Sequence, residues 1–159
     1  MANTEKILIM ALEMEKRARD YYLNQLDQVE DPRVMATLRW LSEWEQEHAD
    51  LIERHLRGEK GGPLPDEKAH SLEEIAREEQ GERDPARVAV ELTTLRTAMN
   101  MEMDAKNFYL RAADRSEERE EADFFRWLAG WEDQHWTMLD RSYRDLSEEY
   151  WGDMGFWPF

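Results

Sequence analysis

The sequence predicts an all-α protein, a four-helix bundle built from two repeated helical hairpins joined by a long crossover. Three observations carry this. Ala, Leu, Met, Glu and Arg are abundant and β-branched residues few, a helix-forming composition. The seven glycines and five prolines cluster: residues 1–31, 33–57 and 86–129 contain neither, while Gly58, Gly61, Gly62, Pro63, Pro65 and Gly81 crowd the middle. Third, the two halves align without a gap at an offset of 87 residues.

In chain order, helix one is expected at about 4–28. Asp31-Pro32 offers an N-cap followed by proline at the first helical position, which starts helix two at 32–57. The crossover spans 58–84, where Ser71-Leu-Glu-Glu74 fits a capping box and suggests a short helix near 72–80. Asp84-Pro85 repeats the proline start and opens helix three at 85–115. Helix four is expected at 117–146. The turn before it has no Gly or Pro, and only the repeat finds it, because Asp27–Asp31 corresponds to Asp114–Glu118. The bundle is therefore assigned to 1–147 and an aromatic C-terminal tail to 148–159. In that tail five of the ten residues from Tyr150 to Phe159 are aromatic, which implies docking on the bundle or on a partner.

The repeat is detailed. Ala11 meets Ala98, Met14-Glu15 meets Met101-Glu102, Ala18 meets Ala105 and Tyr22-Leu23 meets Tyr109-Leu110. Arg39-Trp40-Leu41 meets Arg126-Trp127-Leu128, Trp44-Glu45 meets Trp131-Glu132, and His48 meets His135.

Composition narrows the chemistry. The chain carries 37 Asp plus Glu against 21 Lys plus Arg, a formal charge of -16. Such acidity opposes binding to nucleic acid or to an anionic membrane surface, both of which need basic faces. Seven Trp, five Tyr and five Phe supply material for a core despite the charge. Cysteine is absent, so disulfides, zinc–cysteine sites, iron–sulfur centres and thiol catalysis are excluded within these residues. No apolar run approaches the length of a membrane span, and the N-terminal stretch lacks a secretory pattern, so a cytoplasmic protein is expected.

Each half places one Glu on its first helix and Glu-x-x-His on its second: Glu15 with Glu45 and His48, then Glu102 with Glu132 and His135. Positions i and i+3 share a helix face. Glu15 and Glu45 lie about equally far from the first turn, roughly 20 Å at ~1.5 Å per residue, so an antiparallel hairpin brings them level. The second half repeats this. Ala11, Glu15, Ala18 and Tyr22 form one stripe, and Leu41, Glu45, His48 and Ile52 another, so the acids occupy positions where a core wants Leu. Burying four carboxylates without counter-charge is very costly. Two metal ions would neutralise them, and a Glu/His donor set suits iron or manganese.

These motifs resemble the rubrerythrin branch of the ferritin-like superfamily. Met14-Glu15-Lys16 with Tyr22, and Glu45-Gln-Glu-His48 with Ala49, are similar to that family's helix motifs. Met101-Glu102 with Phe108-Tyr109, and Glu132-Asp-Gln-His135, are similar again, and the likeness covers about residues 5–145. The resemblance implies a ferritin-like bundle holding two iron ions on Glu15, Glu45, His48, Glu102, Glu132 and His135, with Glu45 and Glu132 bridging. It also implies that Tyr22 and Tyr109 hydrogen-bond ligand carboxylates. Two departures stand out. The position of the family's extra ligand Glu, one turn after the third-helix Glu, is Ala105, and the cysteines of a rubredoxin domain are missing.

The resulting expectation is a non-haem di-iron oxidoreductase, a peroxidase or ferroxidase, that acts on dioxygen or hydrogen peroxide with an external electron donor. A homodimer or higher oligomer is expected, with neither nucleic acid nor membrane as partner. Iron storage or delivery is the alternative, and a metal-free helical interaction module the next. Glu67-x-x-His70 is read as solvated, and His55 as a surface helix residue. Trp40, Trp44, Trp127 and Trp131 are read as packing or interface residues, with electron transfer as the alternative. Glu13, Glu43 and Glu47 are read as solvated, or as an iron entry path.

Overall fold

The computed structural model describes residues 2–59, 84–153 and 155. They form four helices: α1 (Ala2–Gln25), α2 (Pro32–Leu56), α3 (Pro85–Arg115) and α4 (Arg119–Asp153). The pairs α1–α2 and α3–α4 pack as antiparallel hairpins, and the hairpins meet through α1 against α3 and α2 against α4. The short helix expected near 72–80 and the Glu67–His70 pair lie outside the described residues. None of the helices is long and apolar enough to cross a membrane.

The proline starts work as the sequence suggests. The Asp31 side chain accepts from the backbone N–H of Arg33 at 2.8 Å and of Val34 at 3.4 Å. Asp84 does the same for Ala86 at 3.0 Å. Each thereby satisfies N–H groups that the first turn leaves without a helical partner. The end of α2 needs a glycine. Gly58 has φ 77°, and the bonds Glu59 N–H to Arg54 C=O (3.0 Å) and Gly58 N–H to His55 C=O (3.0 Å) close a Schellman cap.

Two helices differ from expectation at their ends. The first helix stops at Gln25, not 28, and the chain then turns through Leu26–Gln28. This bend presents the backbone N–H groups of Glu30 and Asp31 to the buried Glu91 carboxylate of α3, at 2.9 and 2.7 Å. The last helix starts at Arg119, two residues late, and runs to Asp153 rather than 146. Packing and charge hold its extension. Leu146 is buried, Tyr150 packs on the core, and Arg33 clamps Glu149 with two bonds of 2.6 and 2.7 Å. So the first residues of the expected tail are helical.

The apolar interior is in two parts. One cluster surrounds Tyr22, Leu38, Leu41, Leu95, Met99 and Leu139 at the end where α1 turns into α2. The other surrounds Leu8, Ile52, Tyr109, Phe124, Phe125 and Leu128 at the end where α3 turns into α4. Between them lies a layer that is not apolar.

Candidate metal centre

That layer contains Glu15, Glu45, His48, Glu102, Glu132 and His135, each between 0% and 2% exposed. All four helices contribute. Glu15 comes from α1, Glu45 and His48 from α2, Glu102 from α3, and Glu132 and His135 from α4. The i, i+3 spacing turns each Glu-x-x-His pair to one side of its helix. The two imidazoles lie nearly parallel, with centroids 5.4 Å apart and planes 19° from each other.

The distances separate two kinds of carboxylate. Glu45 has one oxygen 3.7 Å from His48 Nδ1 and the other 3.4 Å from His135 Nδ1. Glu132 mirrors it, at 3.4 Å from His48 Nδ1 and 3.8 Å from His135 Nδ1. Both acids therefore face both histidines. Glu15 approaches His48 Nδ1 (3.4 Å), and Glu102 approaches His135 Nδ1 (3.6 Å). Ligand atoms of Glu15, Glu45, His48 and Glu132 all lie within 4.8 Å of one another, and so do those of Glu45, Glu102, Glu132 and His135. Either group could hold a metal ion, and the two groups share Glu45 and Glu132.

The tyrosines cross the bundle. Tyr22, on α1, donates its hydroxyl to Glu102 on α3, and Tyr109, on α3, donates to Glu15 on α1. Each phenol thus holds a carboxylate of the opposite half, not the Glu seven residues before it in its own helix. Burial pushes both phenols up, and the negative charge of the partner Glu pushes them further, so both stay protonated donors.

The carboxylates cannot all be ionised together in this setting. Burial raises Glu15 well above the ordinary range, and the charges of Glu132 and Glu45 raise it more. Burial likewise raises Glu102, with Glu45 and Glu132 adding to it. Burial and the charge of Glu132 also oppose ionisation of Glu45, but the adjoining Glu15, His135 and His48 side chains outweigh them and hold it at about 2. Glu132 is likewise held low against burial, by Glu102, His135 and His48. In each half one carboxylate is thus pushed toward keeping its proton and the other toward giving it up. Among the described residues, no Lys or Arg forms an ion pair with these four carboxylates. The buried Oε1 atoms of Glu45 and Glu132 accept no hydrogen bond. Cations beside the histidines would satisfy those oxygens and offset the buried negative charge, so the donor set fits metal ions.

Residues around the centre complete it. Ala105, one turn after Glu102, adds no carboxylate and packs against the second apolar cluster. Glu13, Glu43 and Glu47 are exposed, as expected. His55 is only half-buried and not fully solvated, because its ring stacks on Phe124 at 4.1 Å. Glu91 and Glu121 are buried acids that helical spacing does not single out. Their partners are a loop backbone and Thr4, contacts between distant segments that no local pattern announces.

Fold and site together define a four-helix bundle with a buried carboxylate–histidine centre, the class in which paired metal ions sit between helix hairpins. The chain belongs to the rubrerythrin family, whose model matches residues 6–143. It is also similar to the solved structure of a hypothetical protein from Pyrococcus furiosus, with a TM-score of 0.69. That match covers 93% of this chain and 94% of the other at 24% identity, a likeness of fold. No curated protein matches the chain.

Proposed function

We propose that the protein is a di-iron oxidoreductase that reduces hydrogen peroxide or dioxygen, re-reduced by an external electron donor. One observation carries this reading. Two buried carboxylates, Glu45 and Glu132, each direct one oxygen toward each of two near-parallel histidines. Glu15 and His48 would complete one iron position, Glu102 and His135 the other, with Glu45 and Glu132 shared. Oxygen and nitrogen donors without thiolate favour iron, with manganese as the other candidate. When bound, two irons supply two electrons at one place, the number that one peroxide takes up in becoming two waters.

The protein's own groups do the rest. Tyr22 and Tyr109 keep a proton at Oη and fix Glu102 and Glu15 in orientation, as outer partners of metal ligands do. The apolar clusters on either side keep bulk water from the layer. Glu15 and Glu102 hold a proton more tightly than usual, so cation binding there should release protons. We place the protein in the cytoplasm, as a homodimer or larger assembly.

Iron storage or delivery is the second reading, and the charge of -16 favours it, since an acidic coat concentrates cations near the bundle. Anaerobic Fe(II) titration followed by peroxide or air separates these readings. Two irons per chain, oxidised and then reducible in place, support the enzyme, and loss of oxidised iron from the chain supports delivery. Absence of tight Fe(II) binding, or unchanged binding in Glu15→Gln with Glu102→Gln, removes both.

A further inference from the structure

Four indoles form a ladder on the α2–α4 face, and its two ends are the histidines of the centre. Trp40 meets His135 edge-on at 6.4 Å between centroids, and Trp44 at 5.9 Å. Trp44 stacks on Trp131 at 6.1 Å with planes 2° apart. Trp131 meets Trp127 at 6.1 Å, and Trp127 meets His48 at 6.0 Å. All these separations fall in the contact range for aromatic rings. The ladder follows the repeat, since Trp40 corresponds to Trp127 and Trp44 to Trp131. The stacked pair therefore lies where the two halves meet.

Two features distinguish this array from ordinary packing. All four indoles are half-buried, so each rung is partly open to solvent while the imidazoles at the two ends of the array are fully buried. The six metal-facing side chains have almost no exposed surface, so no donor in solution can touch them directly. Packing alone is met elsewhere on these helices by Leu38, Leu41, Leu128 and Leu139. Indole, unlike leucine, can lose one electron and regain it. A side branch from Trp127 to Phe124, at 6.5 Å, ends there, because a phenyl ring gives up an electron far less readily.

We propose that this ladder is the electron path between the centre and the surface, with the stacked Trp44–Trp131 pair as its outer terminus. The proposal rests on the di-iron reading above. Trp40 or Trp127 gives one electron to the oxidised centre and becomes a radical cation. Trp44 or Trp131 returns that electron and carries the radical in turn. A one-electron reductant, a reduced metalloprotein or an inorganic complex such as ferrocyanide, then loses one electron to the outer pair. Two passages supply the two electrons that, with two protons, turn one peroxide into two waters.

The test uses the full chain, loaded anaerobically with Fe(II), with its tryptophans deuterated in the indole ring. It is mixed with two equivalents of hydrogen peroxide per centre without reductant, frozen, and examined by electron paramagnetic resonance; the first equivalent takes both electrons of the Fe(II) pair, so the second can draw its two only from side chains. Iron stoichiometry and circular dichroism are measured on every sample. The expected result is a radical whose hyperfine pattern changes with indole deuteration and which is lost in Trp40→Phe with Trp127→Phe. In Trp44→Phe with Trp131→Phe the radical forms, but ferrocyanide quenches it more slowly than in the parent. If the inner double variant does not fold, the labelled parent and the outer variant decide. A protein that binds two irons and consumes peroxide without an indole radical overturns the ladder and leaves the di-iron reading standing. A radical confined to Tyr22 or Tyr109 overturns it too. A protein that binds no iron removes the reading beneath it.

Discussion

Tyr22 and Tyr109 exchange partners across the bundle, so each half of the centre is steadied by the other half's phenol. Changing both to Phe leaves Glu15 and Glu102 without that donor. Metal affinity is expected to fall about 10–100-fold, measured by competition with a chelator. The protonation pattern makes a second prediction, for the metal-free protein. Glu15 and Glu102 are raised above the ordinary value of 4.5, so the folded state holds their protons more tightly than the unfolded chain does. Their contribution is complete below that value and disappears as pH rises through the raised range. Glu45, at about 2, and Glu132 are shifted the other way, and their contribution disappears as pH falls toward 2. The metal-free bundle should therefore be most stable in a mildly acidic window and lose stability as pH rises past it. Denaturant midpoints across pH measure this, and a flat profile contradicts it. The convergence of the six Glu and His side chains is legible in the sequence, because equal distances from the turns and the offset of 87 encode it. The crossing of the tyrosines is not, because it depends on how the two hairpins face each other.

At the scale of the element, the turns are where prediction and structure part. Asp31 and Asp84 are visible as caps because their signal lies within three residues. The early end of α1 is invisible, because Glu91 of α3 imposes it from 60 residues away. The extension of α4 is equally hidden, since Arg33 and Glu149 meet only once the helices pack. Thr4 and Glu91 are related by the repeat offset, and each ties its helix to the turn region of the other half: Glu91 to Glu30 and Asp31, Thr4 to Glu121 at 3.2 Å. Two measurements check these ties. Asp31→Ala should cost about 1 kcal/mol by loss of the cap. Glu91→Ala should cost ~1–3 kcal/mol, because it leaves two loop N–H groups without their acceptor. Chemical denaturation gives both, and a Glu91 variant as stable as the parent contradicts the account.

The described bundle is two apolar clusters with a polar layer between them, and the layer costs stability that bound metal ions would return. Binding that occurs only in the folded state stabilises it, by about 2.7 kcal/mol per site at a free ion concentration one hundred times Kd. Loading with Fe(II) or Mn(II) should accordingly raise the melting temperature, and Glu45→Gln with Glu132→Gln should abolish that rise. The all-α bundle and its two-hairpin plan follow from composition and repeat, whereas the division of the core into two clusters appears only when Tyr22 and Tyr109 are seen at opposite ends. The most direct test of the central claim is a crystal structure of the iron-loaded protein with an anomalous map at the iron absorption edge. The account predicts two peaks inside the bundle, one beside His48 and Glu15, the other beside His135 and Glu102, with Glu45 and Glu132 touching both. A single peak, or ions bound only on the acidic surface, would contradict it.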